Sequence, residues 1–475
     1  MTESGGRKGG SALAVDLRRA RAARRREHSA QEPPPEPKPR RRPARVVECD
    51  GREPIDCVRE WFARHDWEPF PFQEDVWRAY LAGESGLIHA ATGTGKTYAA
   101  WMGPVLEWLR DYPPARRQQP APLRVLWLTP LRALAGDTEA ALRAPVEDLG
   151  LPWSVESRTG DTPARVRARQ RERLPTALVT TPESLSLLLT RDDAATLFDH
   201  LELVVVDEWH ELMASKRGVQ TELCLARLRR FRPGLRTLGL SATLGNLDTA
   251  RDALLGMEGE GRPRPGGLFQ GLVPKALEID ALIPVSMERF PWSGQIGLRL
   301  LPEVVAAVEE GETALVFTNT RATAEIWFQA MLAARPDWAG ILALHHGSMD
   351  RDTREWVEEG LREGRLRCVV CTSTLDLGVD FTPVDRVLQV GSPKSVGRLI
   401  QRAGRSGHQP GALSRLTCVP TNALELVDIA AARSALEARA IEARRPVERP
   451  LDLLAQHAVT ISMGGGFRAE ELFDE

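Results

Sequence analysis

Residues 86–97 constrain the fold of this chain more than any other stretch. Gly86–Ala90 is a short apolar run, and Tyr98–Leu109 repeats its apolar residues at helical spacing. Between them lies Ala90-x-x-x-x-Gly95-Lys96-Thr97, the pattern of a phosphate-binding loop. Glycines let main-chain N–H groups turn toward phosphate oxygens, and the helix that follows adds partial positive charge. Thr92, Gly93, Thr94 and Gly95 are expected to line the loop. Lys96 should reach the β- and γ-phosphates and the Thr97 hydroxyl should ligate Mg²⁺. ATP and Mg²⁺ are therefore the implied ligands.

Similar apolar runs recur at Leu123–Thr129, Ala177–Thr181, Leu201–Asp207 and Thr237–Ser241. A second series follows at Ala314–Thr318, Ile341–His345, Cys368–Thr372, Arg386–Val390 and Arg415–Val419. Near-continuous apolar runs alternating with helical patterns mark parallel strands buried on both faces. The expectation is an α/β chain of two tandem, doubly wound parallel-sheet domains at 47–257 and 276–447. The Gly/Pro-rich stretch from Glu258 reads as a linker, bounded here as 258–275. Residues 1–46 are rich in Arg and Pro and poor in aromatics, so they read as a disordered tail. From residue 448 the pattern changes to helices at Leu451–Ser462 and Arg468–Glu475, separated by Gly464-Gly465-Gly466. Two helices cannot bury a core alone, so they read as the start of a further domain.

The 475 residues carry a formal net charge of −2, which argues against a protein that coats nucleic acid by bulk charge. Any contact with a phosphate backbone must come from local N–H groups, hydroxyls and selected arginines. No run of about 18 apolar residues suggests a membrane span. The basic N-terminus lacks the apolar stretch of a secretory signal, so a cytoplasmic location is expected. Cys368-Val369-Val370-Cys371 has metal-site spacing. On a strand, however, residues three apart point to opposite faces, so core packing is the expected role.

Asp207-Glu208-Trp209-His210 ends an apolar strand. A carboxylate at that tip, beside the phosphate loop, suits Asp207 to hold Mg²⁺ through water and Glu208 to deprotonate the attacking water. His210, Ser241 and Thr243 are candidates for coupling nucleotide state to the rest of the chain. Gln401, Arg402 and Arg405 share a predicted helix, and the two arginines, three apart, share a face. A guanidinium supplied across a cleft can stabilise charge in the phosphoryl-transfer transition state. A chain that holds both halves of an ATP site can open and close on it. That pattern fits a motor better than a simple kinase or switch.

Taken together these residues resemble the superfamily 2 helicases of the DExH type. The motifs run in order: Gln73, Ala91–Thr97, Thr129–Leu134, Thr180–Ser184, Asp207–His210, Ser241–Thr243, Val316–Arg321, Thr372–Asp380 and Gln401–His408. Arg158–Thr162, Ser215–Gln220 and His345–Ser348 are similar to the large helicase-related (Lhr) family. Asp207–Leu212 and Leu451–His457 resemble its ligase-associated bacterial branch. The resemblance implies two RecA-like domains, then a winged helix whose beginning is residues 448–475. It implies that Gln73 reads adenine and that Gly378 and Asp380 also serve the ATP site. Thr129, Arg132, Thr181, Thr320, Arg321 and Thr372 would hold successive phosphates of a strand, contacts that position without reading sequence. The implied activity is ATP-dependent 3′→5′ movement on single-stranded DNA and unwinding of duplex DNA or RNA–DNA hybrid in repair, with a DNA ligase or repair nuclease as partner. The alternatives are an RNA or RNA–DNA remodeller and a nucleotide-gated DNA clamp that does not unwind.

Overall fold

The computed structural model describes residues 47–49, 51–112, 120–259, 261–271, 277–283, 297–376, 384–406, 414–438 and 440–475. The tail expected at 1–46, and Gly378 and Asp380, lie outside the described residues.

The first sheet contains β1 (Gly86–Ala90), β2 (Val125–Leu128), β3 (Val155–Arg158), β4 (Ala177–Thr180), β5 (Leu203–Val206) and β6 (Arg236–Ser241). A two-residue hairpin follows, β7 (Met257–Glu258) with β8 (Arg262–Pro263), and then β9 (Gly267–Gly271). The strand order is β3-β4-β2-β5-β6-β1-β9, with every pairing parallel. Every residue of β2, β4 and β5 is buried because helices cover both faces. Alternate residues feed separate cores. Val125 and Trp127 pack with Trp61 and Trp101, whereas Leu126 and Leu128 pack with Trp209 and Phe198.

The second sheet contains β10 (Leu277–Ala281), β11 (Ala314–Phe317), β12 (Leu342–His345), β13 (Cys368–Cys371), β14 (Arg386–Val390) and β15 (Ser414–Val419). Its order is β10-β15-β14-β11-β13-β12, again parallel throughout. Cys368 and Cys371 are both buried but belong to cores on opposite faces of this sheet. Among the described residues no group of three or more His, Cys, Asp or Glu could hold a metal by itself. No helix among them is long and apolar enough to cross a membrane.

The strands missed from the sequence are edge strands. β3 is Val-Glu-Ser-Arg, half-solvated and lacking an apolar run. The linker expected at 258–275 needs correction, because within it Gly267–Gly271 pairs in register with β1 and closes the first sheet. The chains lie so close there that a Cβ on Gly86 would sit 2.4 Å from the Gly267 carbonyl oxygen. Glycines that read as linker composition are instead what lets two backbones meet. At the C-terminus, Leu451–Met463 and Ala469–Asp474 are helical. The first packs on the helices Pro182–Leu189 and Lys216–Phe231 of the first domain, with Lys216 paired to Asp452.

Candidate nucleotide site and strand-binding loops

Parallel α/β sheets bind ligands at the carboxyl ends of their strands. In the first sheet β1 and β5 flank β6, so the tip of β6 at Ser241 lies between the phosphate loop and the Asp207–Glu208 pair. The loop turns on Gly93 (φ 82°) and Gly95 (φ 75°), left-handed conformations that glycine adopts without strain. Gly95 caps the helix Lys96–Asp111. Thr94 Oγ1 donates to the Ala91 carbonyl at 2.7 Å, and Lys96 Nζ donates to the carbonyls of Ala90 (2.8 Å) and Ala91 (3.0 Å). Burial holds the Lys96 ammonium below its ordinary pKa, opposed by the charges of Glu208 and Asp207. Thr97 occupies the next position of the same helix, half-buried. Gln73 is buried against the loop: its Nε2 donates to the Gly95 carbonyl at 2.8 Å, and its Oε1 accepts from the Phe70 N–H at 2.8 Å. One N–H and one lone pair of this amide remain for a ligand.

Asp207 Oδ1 accepts the Glu208 N–H at 2.9 Å, and Oδ2 lies 3.4 Å from the Trp127 indole nitrogen. Glu208 has φ 45° and ψ 45°, a left-handed conformation rare for a side-chain-bearing residue and typical of functional sites. Burial, and then the neighbouring Asp207 charge, push the Glu208 carboxyl up to about 7. Burial likewise raises the Asp207 carboxyl. Two buried carboxyls beside one ammonium form a site short of positive charge. With the Thr97 hydroxyl it fits Mg²⁺, which keeps several waters and takes few protein ligands.

The helix Val396–Ala403 brings the second domain to this site. Gln401 Nε2 donates to His210 Nε2 at 2.5 Å. Burial, aided by the Arg444 charge, holds the His210 pKa well below its usual value, so the ring is neutral. With Nε2 accepting, its proton sits on Nδ1, 3.5 Å from Glu208 Oε2. Ser241 Oγ and Thr243 Oγ1 are buried at the same interface without a protein hydrogen-bond partner.

Arg402 does not face the cleft as its helical spacing with Arg405 predicts. Its Nε bonds Asp376 Oδ1 at 2.7 Å, Nη2 bonds Asp376 Oδ2 at 3.2 Å, and Nη1 bonds Gln389 Oε1. The guanidinium also lies 4.7 Å over the Phe317 ring. Each of its nitrogens has a partner inside the second domain, which turns it away from the cleft. Arg405 donates to the Asp376 carbonyl at 3.1 Å, and its charge acts on Glu208 across the cleft.

The candidate strand-binding residues lie at strand tips or at the helix starts that follow them. Thr129 is buried, with its hydroxyl donating to the Leu131 carbonyl. Thr181 and Thr320 are the N-caps of Pro182–Leu189 and Arg321–Ala334, accepting from the Ser184 and Thr323 N–H groups. Arg132 is exposed and pairs with Asp161 at 3.2 Å. Arg321 donates to Ser348 Oγ, and Thr372 is buried at the tip of β13. A cleft of about 1480 Å³ connects the two domains on this side, lined by Arg132, Arg217, His345 and Thr374 among others.

Several further residues were not evident from the sequence. Arg217 ties the two first-domain loops together, through Glu183 Oε1 (2.5 Å) and the Pro130 carbonyl. Asp376, which anchors Arg402 and Arg398, lies inside the quoted Thr372–Asp380 motif, so its carboxylate was a visible signal. Asn246, Glu442 and Arg444, which no motif marks, form an interdomain cluster with Glu211 of the quoted Asp207–Leu212 motif.

The chain matches the DEAD/DEAH box helicase family over residues 70–250 and the helicase conserved C-terminal domain over 297–409. It matches the winged helix domain of large helicase-related proteins over 434–475, which begins earlier than the expected 448. It is 33% identical over 472 residues to the Lhr helicase of Mycolicibacterium smegmatis, covering 90% of this chain and 30% of that protein. It is 31% identical to ATP-dependent helicase Lhr-Core protein 2 of Thermococcus barophilus, covering 86% and 48%. The solved structure of the Mycobacterium smegmatis helicase Lhr bound to ssDNA and AMP-PNP superposes with a TM-score of 0.77. That likeness is at 34% identity and covers 87% of this chain and 54% of that one. The chain thus spans less than half the length of these two relatives. Two RecA-like domains matched by helicase models, a candidate nucleotide site between them and a segment matching the Lhr winged helix place this chain in the large helicase-related family of superfamily 2 helicases.

Proposed function

We propose that this chain is the motor of an ATP-dependent DNA helicase, moving 3′→5′ on single-stranded DNA and parting duplexes during repair. The observation that carries this reading is the contact of Gln401 with His210, which joins the second domain to the residue pair that acts on ATP. Lys96 binds the β- and γ-phosphates, and Gln73 offers its remaining polar groups to the base. Thr97 and Asp207 would hold Mg²⁺, which would supply charge neutralisation on the phosphates. Glu208 takes a proton from the attacking water, oriented by His210 and Gln401. Arg405 stabilises the charge on the phosphoryl group in flight. The threonine-capped loops of each domain hold phosphates of one strand, so closure on ATP and release after hydrolysis shift one grip relative to the other. Parting a base-pair step costs only about 1.4 kcal/mol of stacking, so the demand is for coupling rather than force.

ATP turnover should rise strongly with single-stranded DNA, and a 3′-tailed duplex should be displaced in preference to a 5′-tailed one. Equal stimulation by a matched RNA would favour an RNA remodeller. Tight binding without displacement would favour a clamp.

Glu208→Gln is expected to lower kcat on the order of 10²-fold or more while ATP still binds. Because the Glu208 pKa is raised, the base is protonated below about 7 and ionised above it. The kcat/KM for ATP should therefore climb with pH through about 7. A profile flat from pH 5.5 to about 8.5 would show that the Glu208 carboxyl is not raised in the free chain.

A further inference from the structure

The helix Val396–Ala403, which carries Gln401 and Arg402 and leads into Arg405, is held at its start by a residue from much later in the chain. Ser395 is its N-cap, with Oγ accepting the Arg398 N–H at 3.1 Å. The two preceding N–H groups, of Val396 and Gly397, donate to the two oxygens of the Glu442 carboxylate, the second at 3.2 Å. A carboxylate on free N–H groups at a helix start is a favourable, charge-assisted pairing.

The segment around Glu442 belongs to neither sheet. On its other side it is fastened to the first domain. The Asn246 side chain grips the Arg444 backbone in both directions, with Nδ2 donating to its carbonyl at 2.7 Å and Oδ1 accepting its N–H at 2.9 Å. Arg444 Nη2 donates to Glu211 Oε1 at 3.2 Å, on the residue after His210. Gly245 lies directly under the segment: a Cβ there would come within 2.2 Å of the Ile441 carbonyl oxygen. Arg398 of the finger helix also faces Glu211, at 3.8 Å. Thr243 sits against Gly397, 3.4 Å from where its Cβ would be. Beyond this point the chain leads into the helix Leu451–Met463, packed on the first domain.

We propose that residues 441–444 form a strap that sets the finger helix against the first domain, with Glu442 as a positioning residue for ATP hydrolysis. Glu442 touches neither the phosphate loop nor the acidic pair. It acts through the angle at which the helix presents Gln401 to His210 and sets the turn that holds Arg405. The inference rests on the ATPase reading above and deepens it. The strap joins the C-terminal helices to the finger helix, so their placement bears on hydrolysis.

The test is ATP kinetics on this chain, with and without oligo-dT, for E442A, E442Q and G245A. E442A is expected to lower kcat about tenfold with KM for ATP within about twofold, since a small misplacement of catalytic groups costs rate before binding. E442Q keeps one acceptor for the two N–H groups and should recover most of the loss. G245A leaves Glu442 intact but pushes the strap away, and should reproduce the kcat loss. It also decides the matter if E442A does not fold. Wild-type kcat in both E442A and G245A overturns the proposal, as does an equal loss in E442A and E442Q. If the unsubstituted chain shows no ATPase at all, the functional reading fails instead.

Discussion

Lys96→Ala is expected to lower DNA-stimulated ATP turnover on the order of 10³-fold, the scale of losing a preorganised charge in a dry site. The ammonium donates to the carbonyls of Ala90 and Ala91, both part of the same turn. When a triphosphate enters, those weak acceptors are exchanged for charged oxygens at little cost in reorganisation. Removing the side chain should cost little stability, because burial disfavours the charge it carries. The thermal midpoint of the free protein should therefore move by only a few degrees. The stabilisation gained from a non-hydrolysable ATP analogue should disappear. In the unsubstituted chain that gain is about 2.7 kcal/mol at a hundredfold excess over Kd. Full stimulated turnover in the variant would sink the assignment of the ATP site.

The parts of this molecule legible from sequence are those whose physics is local. A central parallel strand must be apolar throughout, so β2, β5 and β11 stood out as runs. Each was found within two residues of its expected ends. The phosphate loop was legible for a similar reason, since only glycines at 93 and 95 can take its left-handed turns. Edge strands obey a weaker rule. β9 has two glycines and no long apolar run, yet it completes the sheet beside the phosphate loop. Side-chain direction was less legible still. A three-residue spacing places Arg402 and Arg405 on one face, but Asp376 and Gln389 turn Arg402 back into its own domain. The helix also ends at Ala403 with Gly404 as its C-cap, so Arg405 lies beyond the helical face that the spacing predicts. The strap was invisible because Glu442 and Arg444 act on partners that are local to neither, across an interface the sequence cannot bring together.

Separating the two arginines gives the second large effect. Arg405→Ala should lower kcat on the order of 10³-fold, the lower range for an arginine finger. KM for ATP should change little. Its bond to the Asp376 carbonyl has an uncharged acceptor, so losing that bond should cost about 1 kcal/mol. Arg402→Ala should do the reverse in kind. It removes the closer arginine partner of the buried Asp376 carboxylate and leaves only Arg398 at 3.3 Å, a loss of about 3 kcal/mol visible in urea unfolding. Arg405→Lys keeps the charge but loses the planar fork, so it should recover only part of the rate. Arg402→Lys should remain unstable, because an ammonium cannot span both Asp376 oxygens and Gln389 while lying flat on Phe317. Full turnover in Arg405→Ala, together with full stability and lost turnover in Arg402→Ala, would reverse the assignment. It would then require Arg402 to leave its pocket during closure, breaking the Asp376 pair in every cycle. A buried pair that costs several kcal/mol to break makes a poor moving part, which is why the geometry favours Arg405.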